Sequence, residues 1–221
     1  MSVTIVGPQE RDTSLTVRSA VPADHHAIRE VVVAAYRQYA RELTPEAYTR
    51  YLADLLDLDR HAQHGHLFVT DVGGRVLGSG AYYPDSSVQD LGWPRGWAGG
   101  RALAVHPDAR GRGVARALLT TGEHLARRSR SPVFAFHTGS FMTGAIALYE
   151  KFGYLRAPEF DVDLNAHYGV AGAAPAIALA YLRHLSAPGV RPGHSRRSHR
   201  GDRAPHGARR VVCDHSRTTD R

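Results

Sequence analysis

The residues of this chain that suggest chemistry most directly are four in a row, Arg-Gly-Arg-Gly at 110–113. They follow an apolar stretch that ends at Val105 and precede a run with helical spacing that begins at Val114. The first turn of a helix offers free N–H groups and the positive end of its dipole, and both bind anions such as phosphate. Glycine there leaves room for the anion because it has no Cβ. The pattern predicts a strand, a phosphate-binding turn and a helix; the alternative is a turn that needs glycines for its geometry alone.

Two familiar phosphate-binding motifs do not fit this segment. A Walker loop needs Lys followed by Ser or Thr after its last glycine, whereas Val114 and Ala115 follow here. The dinucleotide fingerprint needs a third glycine at the position that Arg116 occupies. The remaining pattern is R-x-x-G-x-A, formed by Arg110, Gly113 and Ala115.

That pattern resembles motif A of the GNAT acetyltransferases, which follows a β-strand and whose loop amides hold the pyrophosphate of acetyl-CoA. The family's second signature, A-x-x-LYEK-x-GF/Y, is similar to residues 145–154, AIALYEKFGY. The two motifs occur in the family's order and at its usual separation, and the similarity extends over roughly residues 15–185. The resemblance implies an α/β fold with a mixed, mostly antiparallel central sheet of about six or seven strands. Helices would flank both faces of this sheet, and its strands would be splayed at the acetyl-CoA site.

The resemblance also implies an enzyme, which transfers an acetyl group from acetyl-CoA to an amine by direct attack on the thioester. In the family, the strand before the loop pairs with the pantetheine arm, and a free N–H polarises the thioester oxygen. The signature tyrosine, here Tyr149, protonates the leaving CoA thiolate in many members; its structural alternative is a packed tyrosine on an amphipathic helix. The cofactor-binding residues that the resemblance implies are Leu103, Ala104, Val105, Arg110, Gly111, Arg112, Gly113, Val114, Ala115 and Arg116.

Two departures from the family pattern concern this chemistry. Many members carry Asn seven residues before the signature tyrosine, where this chain has Met142. Many members also use a Glu on the strand before the loop as the general base, but residues 98–102 contain no carboxylate. Asp161 and Asp163 hint at a cationic acceptor, and an amine of low pKa would need only a water chain. The candidates for the base are His137, Asp85, Asp161 and Asp163.

Two other function classes stay open at this point. One is a non-catalytic acyl-CoA-binding module, in which Met142 and the missing base would reflect lost chemistry; Tyr149 favours the enzyme. The other is a protein that contacts nucleic acid, because the net charge is +7. Residues 191–221 hold nine arginines against three aspartates, which leaves only +1 for the preceding 190 residues. The nearly neutral charge of the preceding residues does not favour nucleic-acid binding, which would therefore involve only the basic tail.

We expect three segments: a loose N-terminal arm (1–13), a GNAT-like acetyltransferase domain (14–187) and an Arg-rich disordered tail (188–221). The first residues lack a basic n-region followed by a long apolar run, and the longest uncharged stretch is interrupted by polar residues. The expected protein is cytoplasmic and has no membrane partner. Its expected partner is an amine-bearing acceptor, a small molecule or a protein amine, and a homodimer is left open.

Residue usage limits other chemistry. Cys213 is the only cysteine, which excludes an intramolecular disulfide and a cysteine zinc site. His61, His64 and His66 are close in sequence but lack a conventional ligand spacing, so no metal site is predicted. Lys151 is the only lysine among 28 basic residues.

Periodicity and turn residues predict the elements that would position these groups. Thr44 and Pro45 start a second helix that would continue to just before Gly65. Long loops are expected at 85–96 and 164–175. The predicted strands are 15–18, 67–69, 76–83, 98–105, 133–136, 154–163 and 176–185, and the other predicted helices are 20–39, 114–129 and 143–152.

Overall fold

The computed structural model of the chain describes residues 15–171 and 174–185. The predicted arm (1–13), the predicted tail (188–221) and Cys213 lie outside the described residues. Within the described ranges, every helix is too short or too polar to cross a bilayer.

The centre of the domain is one mixed sheet, to which the described residues contribute eight strands. The strands are β1 (Leu15–Ser19), β2 (His66–Val72), β3 (Arg75–Tyr83), β4 (Ala98–Val105), β5 (Val133–Gly139), β6 (Leu155–Arg156), β7 (Val162–Asp163) and β8 (Ile177–His184). Their order is β1-β2-β3-β4-β5-β8-β6, with β7 also paired to β8, and among these strands only the β4–β5 pair is parallel. The predicted mixed, mostly antiparallel sheet is confirmed.

The strand count exceeds the expected six or seven because the predicted strand at 154–163 is interrupted. A 3-10 turn at Pro158–Phe160 separates β6 from β7. Proline has no N–H to give to a strand neighbour and fixes its own φ, so the chain leaves the sheet there. Both short strands nevertheless pair with β8.

Helices cover both faces of the sheet, as the resemblance implied. The helices of the described chain are α1 (His25–Tyr36), α2 (Pro45–Leu56), α3 (Leu58–His64), α4 (Val114–Arg128), α5 (Thr143–Lys151) and α6 (Leu164–His167). One apolar cluster joins α1 and α2 to residues such as Val69 and Ala104, and another joins α4 and α5 to Phe68 and Phe136. Phe68 and Val69 are adjacent in β2, so their side chains point to opposite faces.

The predicted second helix begins where expected but is divided in two. Thr44 caps α2, its hydroxyl oxygen accepting a hydrogen bond from the Ala47 N–H at 3.2 Å. Asp57 then leaves helical geometry, with ψ of 71°, and its carboxylate accepts a hydrogen bond from the Arg60 N–H. A short polar side chain that caps a new helix competes with continuation of the old one, so α3 starts as a separate helix.

Close packing fixes the start of α4 against the sheet. A Cβ added to Gly78 of β3 would lie 2.5 Å from Val114 Cγ1, the first side chain of α4. Only glycine permits this approach. Val114 and Leu118 are fully buried in the apolar cluster between the sheet and helices α4 and α5. The contact between Gly78 and Val114 therefore holds the N-terminus of α4 close to the end of β4, where a ligand can reach it.

Candidate functional site

Strands β4 and β5 pair at one end and then separate. Their parallel pairing is confined to Ala98 with Phe134 and Gly99 with Ala135. In β4 the next residues carry a bulge, marked by a φ of +50° at Ala102 and a register shift against β3. A bulge adds one residue and bends its strand. Beyond Gly99, the edge of β4 that faces β5 has no strand partner in the described chain, which is the predicted splay.

A cavity of about 840 Å³ occupies the space around this splay. Of the ten predicted cofactor residues, nine line it, and Arg112 is the exception. The predicted acid, Tyr149, also lines the cavity, as do Lys151 and the base candidate His137. The cavity is thus continuous from the glycine-rich turn to residues far from it in sequence.

The glycine-rich turn has the geometry that an anion site requires. Gly111 and Gly113 have φ of 74° and 82°, in the left-handed region that favours glycine, and no heavy atom lies within 4 Å of a Cβ built on either. Gly113 is the N-cap of α4, and no side chain of the described residues caps this helix. In the described chain the N–H groups of residues 113–116 have no hydrogen-bond partner. Four free donors at the positive end of a 15-residue helix fit a diphosphate.

Tyr149 lies in a cage of aromatic rings below this turn. Its ring centroid is 4.5 Å from that of Phe136 and 5.9 Å from that of Tyr181. Burial raises the pKa of the Tyr149 hydroxyl well above its usual value. That hydroxyl has no hydrogen-bond partner among the described residues, and it borders the cavity. The phenol is therefore neutral and free to donate.

Further along β4, Arg101 forms an ion pair that the sequence did not predict. Its Nη2 donates to Oδ2 of Asp54 in α2, and Asp54 also accepts from Arg60 and from the Tyr168 hydroxyl, the latter at 3.0 Å. Positive charge from Arg101 holds the pKa of the Asp54 carboxyl below its usual value against the opposing effect of burial. In the sequence, Arg101 itself is the one residue that could have indicated this ion pair. A charged residue in a strand of small, apolar residues needs a buried partner of opposite charge.

The four base candidates are in different situations, and only His137 lines the cavity. Asp85 accepts a hydrogen bond from the Ser87 N–H at 3.0 Å. Asp161 accepts two hydrogen bonds from the Arg156 guanidinium, at 2.9 and 2.8 Å. Asp163 accepts from the Asn165 N–H at 2.9 Å. These three carboxylates hold the fold together, and the hint that Asp161 and Asp163 attract a cationic acceptor has no support from their positions.

His137 has a fixed tautomer when it is neutral. Its Nε2 lies 2.7 Å from the Phe160 carbonyl oxygen, which can only accept, so Nε2 carries the proton. Nδ1 therefore presents its lone pair, and it is buried without a partner in the described chain. Burial lowers the pKa of His137 to about 4. The ring of Trp93 packs against it with centroids 4.4 Å apart.

Met142 occupies the position where many GNAT members carry Asn. The side chain is buried and lines the cavity, and the Thr138 hydroxyl donates a weak hydrogen bond to its sulfur at 3.6 Å. A thioether offers no amide to a ligand, so this part of the wall is apolar.

The three clustered histidines do not come together as ligands. His61 is fully buried and shares a 2.5 Å hydrogen bond with the Tyr83 hydroxyl, and burial lowers its pKa to about 4. His66 instead stacks on Tyr82, and His64 is exposed at the end of α3. Within the residues that the structure describes, no group of three His, Cys, Asp or Glu side chains could hold a metal ion.

Comparison with known proteins shows which family and which solved structures this chain is similar to. The model of the acetyltransferase (GNAT) family matches residues 29–154. A search of curated proteins found no match. Among solved structures, PaiA N-acetyltransferase from Thermoplasma acidophilum, in complex with coenzyme A, is 11% identical over 78% of this chain and 99% of its own, with a TM-score of 0.59. YncA from Salmonella typhimurium, with its cofactor acetyl-CoA, is 19% identical over 81% and 98%, with a TM-score of 0.53. A GNAT-family acetyltransferase from Staphylococcus aureus is 10% identical over 78% and 100%, with a TM-score of 0.57.

Proposed function

Because the chain belongs to the GNAT acetyltransferase family, we propose that it transfers the acetyl group of acetyl-CoA to an amine. The observation that carries this proposal is the continuous cavity, which runs from the free N–H groups at the start of α4 past Tyr149 to Arg101. Two proteins of the same fold hold coenzyme A or acetyl-CoA, which supports the choice of ligand. Acetyl-CoA supplies an acyl group activated as a thioester.

The chain's own groups divide the work of binding. The N–H groups of residues 113–116 donate hydrogen bonds to the diphosphate, and Arg110 and Arg116, which line the cavity, add positive charge. The unpaired edge of β4 at Leu103, Ala104 and Val105 binds the extended pantetheine arm as an added strand would. A free N–H in this edge polarises the thioester oxygen.

Tyr149 acts as the general acid in this proposal. A phenol ionises near pH 10 and a thiol near 8.5, and burial raises the pKa of Tyr149 further, so the phenol holds its proton until charge develops on sulfur. Tyr149 then donates that proton as the C–S bond breaks. The proton released by the attacking amine restores the phenol through water. The aromatic rings around Tyr149 shield its hydroxyl from bulk solvent, which strengthens the hydrogen bond to the departing sulfur.

The amine must reach the site without its proton. Among the described residues, no carboxylate lines the cavity, and the charged lining residues are all basic: Arg101, Arg110, Arg116 and Lys151. This positive lining disfavours an ammonium ion. With a pKa of about 4, His137 is neutral at physiological pH and accepts a hydrogen bond from the amine at Nδ1, but it is too weak a base to hold the proton.

This division of roles predicts the pH dependence. At saturating acetyl-CoA, kcat/KM for the amine is expected to rise about tenfold per pH unit up to the pKa of the amine itself. His137 is already deprotonated above its pKa of about 4, so it adds no inflection between pH 6 and 8. Thiol release measured from pH 6 to 10 checks this. An inflection near pH 6.5 that does not move when the amine is changed would instead identify a protein base.

Thermal unfolding with acetyl-CoA, free CoA and an adenine dinucleotide tests the proposed ligand. A ligand at 100 times its Kd stabilises the folded state by about 2.7 kcal/mol. We expect both CoA species, but not the dinucleotide, to raise Tm. Thiol release that depends on an added amine then separates an enzyme from the alternative, a non-catalytic acyl-CoA-binding module. Stabilisation without thiol release, across primary amines of varied structure, would favour the module.

A further inference from the structure

We propose that the acceptor amine also carries a carboxylate, and that Arg101 binds this carboxylate in the cavity. The inference rests on the proposed function and narrows its acceptor to amino carboxylates with an apolar body. Arg101 lies four positions before Val105, the end of β4 that leads to the phosphate turn, and four residue steps of strand span about 13 Å. The carboxylate would therefore be held well away from the diphosphate.

Arg101 has N–H donors that no described residue uses. Only its Nη2 takes part in the bonds to Asp54 and Tyr168. In the described chain, Nε and Nη1 have no hydrogen-bond partner, and Nε is fully buried. A guanidinium has five N–H donors in a planar fork that matches the two oxygens of a carboxylate. Arg101 lines the cavity, and of its two unpaired nitrogens Nη1 is the one that is not fully buried.

The charge of Arg101 is balanced only by a shared partner. Among the described residues, Asp54 is the one carboxylate that pairs with Arg101, and Asp54 also pairs with Arg60. Arg60 lies 3.8 Å from a second carboxylate, the 50% exposed Asp57, so the four groups are neutral together while Arg101 itself has no carboxylate of its own. Arg60 is 41% exposed and can be hydrated, whereas Arg101 is 11% exposed. In the part of the chain that the structure describes, no acidic side chain lines the cavity. A buried, incompletely paired cation is costly, and a ligand carboxylate would offset that cost.

The wall of the cavity around Arg101 is largely aromatic. Tyrosine rings line the cavity around Arg101, and neighbouring centroids are 5.8 Å apart for Tyr36 and Tyr51 and 6.0 Å for Tyr51 and Tyr168. Gln89 is 7% exposed, lines the same cavity, and has a buried amide nitrogen without a partner in the described residues. A polar fork with one further polar group, set among aromatic rings, fits a carboxylate attached to an apolar or aromatic body.

Matched pairs of amines test this in the unaltered protein. Phenylalanine is compared with phenethylamine, and leucine with 3-methylbutylamine, by thiol release at saturating acetyl-CoA. Because the amines differ in pKa, kcat/KM is expressed per neutral amine. We expect each carboxylate-bearing member to be preferred at least tenfold. Equal or better use of the amines without a carboxylate would overturn the inference while leaving amine acetylation intact. Thiol release with none of the amines would overturn the proposed function, and this inference with it.

Substitutions then assign the preference to Arg101. Arg101→Gln should lower the carboxylate preference at least tenfold, and Arg101→Lys, which keeps the charge but loses the fork, should retain part of it. Arg75→Gln removes one exposed arginine at the start of β3 and should leave the ratio unchanged. A retained Tm increase with acetyl-CoA shows that each variant is folded. Independently of folding, 3-phenylpropionate should compete with the amine in the original protein and 3-phenylpropanamide should not. The reverse order of inhibition, or an unchanged ratio in a folded Arg101→Gln, would overturn the assignment.

Discussion

Replacing Tyr149 with phenylalanine is expected to lower kcat about 100-fold or more, while the affinity for acetyl-CoA changes less than about twofold. The substitution removes one oxygen atom that has no hydrogen-bond partner in the described chain. It keeps the ring that packs on Phe136. Burial keeps the phenol protonated, so the lost group is a proton donor and not a charge. Pre-steady-state thiol release and acetyl-CoA titration separate the two effects.

Tyr181→Phe is the matched control for this substitution. The Tyr181 ring lies 5.9 Å from that of Tyr149, and its hydroxyl donates to Glu150 at 3.0 Å, but Tyr181 does not line the cavity. We expect this variant to lose about 1 kcal/mol of stability and to keep its turnover. If Tyr149→Phe also kept its turnover, Tyr149 would be a packing residue and another group would protonate the thiolate.

Replacing Gly113 with alanine is expected to weaken acetyl-CoA binding at least about tenfold. Its φ of 82° is strained for a residue with a Cβ, so the turn that aims the N–H groups of α4 should shift. The Cβ would also point into the open space above the turn, where the diphosphate is proposed to lie. Isothermal titration with acetyl-CoA measures the loss.

Gly74→Ala separates strain from ligand contact. Gly74 has a φ of 78°, lies in the turn between β2 and β3, and likewise has open space where a Cβ would be. Both substitutions should cost about 1–2 kcal/mol of folding free energy. Only Gly113→Ala should lose affinity for acetyl-CoA. Equal affinities in the two variants would place the diphosphate elsewhere and leave the glycines of 110–113 with a geometrical role.

Local patterns predicted most of the fold, because its elements obey local rules. Thr44 and Pro45 predicted the start of α2, and the glycines at 111 and 113 predicted the turn before α4. The interruptions at Asp57 and Pro158 were missed because each leaves the apolar periodicity on either side unchanged. The capping carboxylate of Asp57 ends one helix and starts the next, and the missing N–H of Pro158 interrupts a strand. Both effects act within a single turn of the chain.

The amine side of the site was less predictable because it depends on distant pairing. Asp54 and Arg101 are 47 positions apart, and in sequence Asp54 is an ordinary polar residue on an amphipathic helix. Asp161 had the opposite problem: it suggested an acidic site until its pairing with Arg156 was known. Residue type indicates which groups can ionise, but their partners decide which of them remain available to a ligand.

The use of arginine in place of lysine has a practical consequence for chemical labelling. Lys151 is the only side-chain amine in 221 residues, and it is exposed while also lining the cavity beside α4. An amine-reactive acylating reagent therefore has one lysine to modify, and that lysine borders the proposed cofactor site. The extent of modification at this single position becomes a direct reporter of occupancy, readable as one mass increment on one peptide.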